Sequence, residues 1–309
     1  MRYVDLFCGA GGTSCGLAQA GWECVGAVDA DAHALATYAL NFPSHPTVRH
    51  DLALPLDAAL VAAWRLHAGD DGVLAGSSPC TDFSSANPAP RDRAQLTVAF
   101  AEHAVRLRPA WVLFENVPRA RHFTEFRMLV EALGAAGYGV HHGIVNALGA
   151  GVAQTRRRLI LVAARGDQGG DGGAARAVWE RFAASLTAAP PSMAQCFAAS
   201  ALPCPVPYLY LQSCNEKWRK SIFSVDGPAP TVRCIIRPFR ATYTFTPRDD
   251  CHDASQIFSA TVAHLAALQG FPPTFRWDVG GKTAAARAVG NAVPPPLASR
   301  LAEAVTALR

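Results

Sequence analysis

The first 165 residues repeat one pattern: a short apolar run, a turn, an amphipathic stretch, then another apolar run. Runs at 2–7, 23–28, 72–76, 110–114, 138–145 and 159–164 read as buried strands, and 12–20, 31–41, 56–67, 94–107 and 122–136 read as helices between them. Strands joined through helices pair side by side in one direction and need cover on both faces. The expectation is an α/β fold with a mostly parallel sheet, whose ligands sit at the carboxyl ends of its strands. The pattern breaks at Arg165-Gly-Asp-Gln-Gly-Gly-Asp-Gly-Gly-Ala, a polar linker, and about 90 residues rich in Pro, Ser, Cys and aromatics follow. It resumes near 258 and ends in a helix expected over 294–308. The chain thus divides into 1–165 with 258–309, and an irregular part at 166–257. No internal repeat is visible.

At 309 residues, half of them hydrophobic and 17% charged, the chain can bury a full core and is globular rather than disordered. No apolar run approaches the ~18 residues of a membrane span. The N-terminus carries no basic lead and long apolar segment of the secretory kind. Nine cysteines without a tight framework point to reduced thiols and a cytoplasmic setting, and none has the spacing of a zinc site. A net charge of +4 permits a polyanionic partner without requiring one.

Four short motifs fall where an α/β sheet would present chemistry. Asp5-Leu6-Phe7-Cys8-Gly9-Ala10-Gly11-Gly12 joins the first strand to the first helix. Its glycines suit either a tight turn or close approach of a ligand to backbone N–H groups. Asp29, in Val28-Asp29-Ala30-Asp31, lies where a nucleotide-type fold places an acid on ribose hydroxyls. Asp31 reads better as a helix cap. Asp51-Leu52 ends a third segment and could face the same pocket. Ser14 stands where the dinucleotide fingerprint needs a third glycine, which favours an adenosine ligand other than NAD or FAD. Cys80 follows the strand 72–76 and the stiff lead-in Ser78-Pro79, as either a structural thiol or one presented to a cleft. Glu115 ends the strand 110–114, and Gln154-Thr155-Arg156-Arg157-Arg158 precedes 159–164. Alternation puts Arg156 and Arg158 on one side. Gly290-Asn291-Ala292-Val293-Pro294-Pro295 opens the last helix, with Asn291 as a possible cap.

Taken in order and spacing, Phe-x-Gly-x-Gly-Gly, Ser-Pro-Cys, Glu-Asn-Val, Gln-x-Arg-x-Arg and Gly-Asn-Ala-Val-Pro-Pro resemble the motifs of the DNA (cytosine-5)-methyltransferases, of bacterial or phage type. Ala229-Pro230-Thr231-Val232 and Leu268-Gln269-Gly270-Phe271-Pro272 agree. The resemblance covers 1–165 and about 224–309. It implies a Rossmann-like methyltransferase fold with a small irregular target recognition domain, and S-adenosylmethionine as methyl donor without a metal. It also implies double-stranded DNA as partner, action at the nucleoid and, in a restriction-modification pair, a separately encoded endonuclease. Phe7, Gly9, Ala10, Gly11, Gly12, Asp29, Ala30, Asp51, Leu52, Pro79, Leu96, Asn291 and Val293 are implied as the cofactor pocket.

Cytosine C5 is too poor a nucleophile to take a sulfonium methyl directly; a thiolate adding to C6 makes it enamine-like. Cys80 matches the family's nucleophile, Glu115 the group engaging N3 and the exocyclic amine, and Arg158 the group holding the base carbonyl. Arg156 is expected to orient Glu115 or a phosphate. A stacked base must be flipped out, and residues 81–95, with Arg91 and Arg93, are expected to close over it. Target reading is expected within roughly 166–224, whose run Lys217, Arg219 and Lys220 suits phosphates more than bases, supplemented by 234–257 with Arg233, Arg237, Arg240 and Arg248. The chain departs from the usual pattern at Ser77-Ser78, Thr81-Asp82 and Ala30. A tRNA methyltransferase of the same fold, partly echoed in Cys196-Phe197-Ala198, and a non-catalytic nucleic-acid binder are the alternatives.

Overall fold

Alternating apolar residues decide the sheet, because the strands carry them on both faces. In a computed structural model describing residues 1–66, 71–80, 83, 94–166, 173–187, 189–211 and 220–308, one sheet has seven strands. They are β1 (Arg2–Leu6), β2 (Glu23–Asp29), β3 (Thr47–Arg49), β4 (Gly72–Gly76), β5 (Trp111–Asn116), β6 (Tyr138–Asn146) and β7 (Arg157–Arg165), ordered β3-β2-β1-β4-β5-β7-β6. Pairing is parallel from β3 to β5, while β7 runs antiparallel between β5 and β6. Tyr3, Val73, Ala75, Leu113 and Val162 enter one core, and Val4, Leu6, Leu74, Phe114 and Leu161 the other. Each fully buried Leu, Val or Phe contributes roughly 1.5–3 kcal/mol to holding the layers together.

Helices cover both faces: α1 (Gly12–Gln19), α2 (Ala32–Asn41), α3 (Ala58–Trp64), α4 (Gln95–Leu107) and α5 (Thr124–Ala135) follow the expected order. α6 (Gly173–Ser185) falls inside the segment expected to be irregular, yet its Ala175, Val178 and Phe182 pack into the core beside β6 and β7. Beyond it come α7 (Met193–Ala199) and three short strands, β8 (Tyr208–Tyr210), β9 (Ile222–Ser224) and β10 (Ile257–Ser259), paired in the order β10-β8-β9. α8 (Val262–Leu268) and α9 (Gly281–Asn291) share a third core with this part. α10 (Pro295–Thr306) returns to lie on α1. That crossing is close: a Cβ at Gly12 would collide with the Val293 carbonyl, and one at Gly16 with that of Pro295.

The strand order reverses direction between β1 and β4, so their carboxyl ends flank a crevice. The linker 167–172, most of the expected lid, and Lys217 and Arg219 lie outside the described residues. Phe83, within the expected lid, is buried against Phe123 at 4.9 Å between ring centroids. No helix among the described residues is long and apolar enough to cross a membrane.

Candidate active site

The crevice holds a cavity of about 630 Å³, within the range of small-ligand sites. One wall is the turn from β1 into α1. Phe7, Gly9 and Gly11 all have positive φ there, at 59°, 53° and 97°. The left-handed region suits glycine but is strained for Phe7 by roughly 1–2 kcal/mol, strain of the kind that collects at binding turns. No side chain caps α1, and Gly12 and Thr13 of its first turn line the cavity. That leaves the first turn of α1, uncapped by any side chain, at the cavity wall. Gly11 is placed differently from its neighbours: it does not line the cavity, and a Cβ there would strike Phe42 and Tyr38.

Asp29, at the end of β2, accepts Gly9 N at 2.8 Å through Oδ2 and Asp31 N at 2.8 Å through Oδ1. Burial pushes its carboxyl above the ordinary value, and these two N–H groups oppose the rise. Asp31 caps α2 by accepting His33 N and Ala34 N. Ala30, Asp51, Leu52, Pro79, Leu96, Asn291 and Val293 also line the cavity with Phe7, Gly9, Ala10 and Gly12. Asn291 does not cap α10; it ends α9, and its Oδ1 accepts Cys234 Sγ at 2.9 Å. Beneath the turn, Asp5 is fully buried, accepts Ser14 Oγ at 2.7 Å and is pushed up to about 7 by burial.

Cys80, Glu115 and Arg158 line the same cavity. β4 pairs with β5 and β5 with β7, which carries the three groups onto one edge. Arg158 Nε lies 2.7 Å from Glu115 Oε1, an ion pair with each side chain about one-tenth exposed. Ser77 Oγ donates to Glu115 Oε2 at 2.5 Å. Asn116 fastens the Cys80 loop to β5: its Nδ2 donates to Ser78 O at 3.1 Å and Ser78 Oγ at 3.2 Å. Ser78 Oγ also meets Thr97 Oγ1 of α4 at 2.8 Å. Burial and then the Glu115 charge push the Cys80 thiol up, while Arg158 and Arg156 pull it down.

Arg156 and Arg158 do face inward, with Arg157 exposed between them. Their partners differ. Arg156 is 1% exposed and donates to the carbonyls of Val232 at 3.2 Å, Gly290 at 2.9 Å and Ala292 at 2.9 Å. Its hydrogen bonds therefore go to main-chain carbonyls rather than to Glu115, and it does not line the cavity. Gln154 donates to Leu268 O at 2.7 Å and Gln269 Oε1 at 2.6 Å, and accepts Val232 N at 3.0 Å. Gln269 donates to Val289 O at 2.7 Å. This buried network ties β7, the Ala-Pro-Thr-Val segment, α8 and α9 together. From the sequence Asn116 stood only as part of Glu-Asn-Val and Ser77-Ser78 only as a departure from the pattern, neither with a role, and Thr97 gave no signal. No group of three or more His, Cys, Asp or Glu side chains among the described residues could hold a metal ion.

A profile for the C-5 cytosine-specific DNA methylase family matches residues 1–186 and 212–307. Type II methyltransferase M.HgiDI of Herpetosiphon aurantiacus is 37% identical over 310 residues, covering 99% of this chain and 94% of the relative. Type II methyltransferase M.HindV of Haemophilus influenzae is 30% identical, covering 99% and 96%. The fold matches that of the S. pombe Dnmt2 methyltransferase with a TM-score of 0.70 at 19% identity, over 100% of this chain and 99% of that one. A DNMT2 variant of Spodoptera frugiperda gives 0.69 at 15%, over 99% of each. With the profile spanning most of the chain and two relatives aligned from end to end, this protein belongs to the C-5 cytosine-specific DNA methylase family.

Proposed function

We propose that the chain transfers a methyl group from S-adenosylmethionine to C5 of a cytosine flipped out of duplex DNA, through a covalent bond between Cys80 and C6. The supporting observation is that one cavity joins a glycine turn and Asp29 on one side to Cys80, Glu115 and Arg158 on the other. The cavity fits the cofactor in size and chemistry: uncapped N–H groups of α1 suit a carboxylate, and Asp29 suits ribose hydroxyls. When bound, S-adenosylmethionine supplies the electrophilic methyl that C5 takes up.

The chain's own residues do the rest. The Cys80 thiol proton passes to the Glu115 carboxylate, and Sγ bonds to C6 as the C5=C6 π pair shifts toward C5. Glu115 hands that proton on to N3 and, a carboxylate again, accepts from the exocyclic amine, so charge does not build on the ring. Arg158, holding Glu115 through Nε, offers its remaining N–H groups to the base carbonyl. After methylation the C5 proton leaves to a base or water, the C6–S bond breaks, and Cys80 is restored. Arg156 acts on none of these atoms and holds the scaffold. Target choice resides in 166–257, with Lys217 and Arg219 directed to phosphates while Lys220 is paired with Asp250 at 2.5 Å, and a cognate endonuclease shares the target site. The test is incorporation of labelled methyl into duplex DNA and into tRNA by the purified chain. Label in DNA alone supports the proposal; label in tRNA alone replaces the substrate.

A further inference from the structure

Glu115 is held at both carboxylate oxygens, and only one holder belongs to the groups assigned to the base. Arg158 binds Oε1; Ser77, three residues before Cys80, donates to Oε2 at 2.5 Å. The adjacent serine is spent elsewhere, since Ser78 is 2% exposed and fixed by Asn116 and Thr97. Both serines border the cavity, Ser78 buried and Ser77 half-buried, and their hydroxyls take different partners. Ser77 is thereby held by its neighbour at a set distance from β5.

We propose that Ser77 is a positioning residue for Glu115. The inference rests on the reading of Glu115 as the group that engages N3. Arg158 reaches Glu115 through Nε on Oε1 alone, and a single contact leaves the carboxyl free to turn about its C–C bond, the more so once a base competes for the guanidinium's other N–H groups. Ser77 then keeps Oε2 in place and fixes the carboxyl plane against the base edge. A hydrogen bond to an ionised group is shorter and about twice as strong as a neutral one, so its loss frees Glu115 to rotate at the moment it must meet N3.

The experiment compares Ser77→Ala, Ser77→Thr, Glu115→Gln and the Ser77→Ala/Glu115→Gln double variant in steady-state and single-turnover methylation of a duplex oligonucleotide. Ser77→Ala should lower kcat about 10- to 100-fold, with KM for S-adenosylmethionine and for DNA changed less than twofold. Ser77→Thr, which keeps the hydroxyl, should recover to within threefold of the parent chain. In the Glu115→Gln background, Ser77→Ala should have an effect smaller than threefold, because the carboxylate it positions is gone. A Ser77→Ala enzyme with kcat within twofold of the parent overturns the proposal. So does a loss that Ser77→Thr does not recover, or one that persists in full with Glu115→Gln. Full activity in Glu115→Gln alone would instead remove the reading of Glu115 on which the inference stands.

Discussion

Arg156 and Arg158, two residues apart on the same side of the chain, should separate by turnover per folded molecule when each is replaced by methionine. Arg156→Met deprives three buried carbonyls of a donor. The Ala292 carbonyl keeps Gln269 Nε2 at 3.2 Å, so two lose more. At about 1–2 kcal/mol for each unsatisfied buried acceptor the loss is about 2–4 kcal/mol. Relief of burying a guanidinium whose Nε has no hydrogen-bond partner offsets part of this. A net loss of about 2–3 kcal/mol, with a urea slope of about 3 kcal/mol per M, moves the unfolding midpoint down by about 0.7–1 M. Arg158→Met removes the partner of a carboxylate that is itself only about one-tenth exposed, and water entering from the cavity offsets part of that cost, so it also destabilises, by about 1–3 kcal/mol. Its methyl transfer should fall about 100- to 1000-fold, the scale for losing a charge-stabilising donor. Urea denaturation and turnover on the two variants give the comparison. If Arg156→Met keeps its midpoint within 0.2 M of the parent, as an order-of-magnitude threshold well under the predicted shift, while losing activity, the scaffold role is refuted.

Other outcomes follow from the same geometry. Since burial and Glu115 raise the Cys80 thiol, its thiolate is scarcer at neutral pH than that of a free thiol and increases as pH rises. Iodoacetamide labelling of Cys80, followed by peptide mass spectrometry, should therefore have a midpoint above the ordinary ~8.5; Glu115→Gln should lower that midpoint and Arg158→Met raise it. Asp29→Ala should weaken S-adenosylmethionine binding by about 1–3 kcal/mol in calorimetry, through lost hydrogen bonds to a charged group; unchanged affinity would move the ribose site elsewhere. Gly12→Ala, which collides with the Val293 carbonyl, should destabilise by about 1–3 kcal/mol in thermal unfolding, and an unaltered Tm would contradict the close crossing of α1 and the segment before α10.

Six of the sheet's seven strands were legible because they are short apolar runs set between helices, a local pattern; β3, three residues with a single apolar one at the sheet edge, left no such signal. Cys80, Glu115 and Arg158 were legible as strand ends, and the structure brings them to one cavity. Arg156 was misplaced because alternation gives a side chain's direction but not its partner, and its acceptors lie 76, 134 and 136 residues away. Asn291 was misread as a cap because α9 lacks a strong apolar signature, and its end was hidden just before the prolines. The helix α6 was missed because the glycine-rich linker ahead of it suggested continuing irregularity. β8, β9 and β10, three residues each, are too short to show any period. Ser77 was seen only as a departure from pattern, since its partner Glu115 lies 38 residues along the chain.

The central claim is a covalent bond from Cys80 to C6, and trapping tests it directly. Duplex DNA carrying 5-fluorocytosine at the target position blocks the final loss of a C5 proton, so an addition complex should accumulate. Incubated with this DNA and S-adenosylmethionine, the parent chain should migrate as a denaturation-resistant adduct, and mass spectrometry should place the link on the Cys80 peptide. Cys80→Ser should form no adduct yet still bind the duplex. An adduct on another residue, or full methylation by Cys80→Ser without any adduct, would contradict the account.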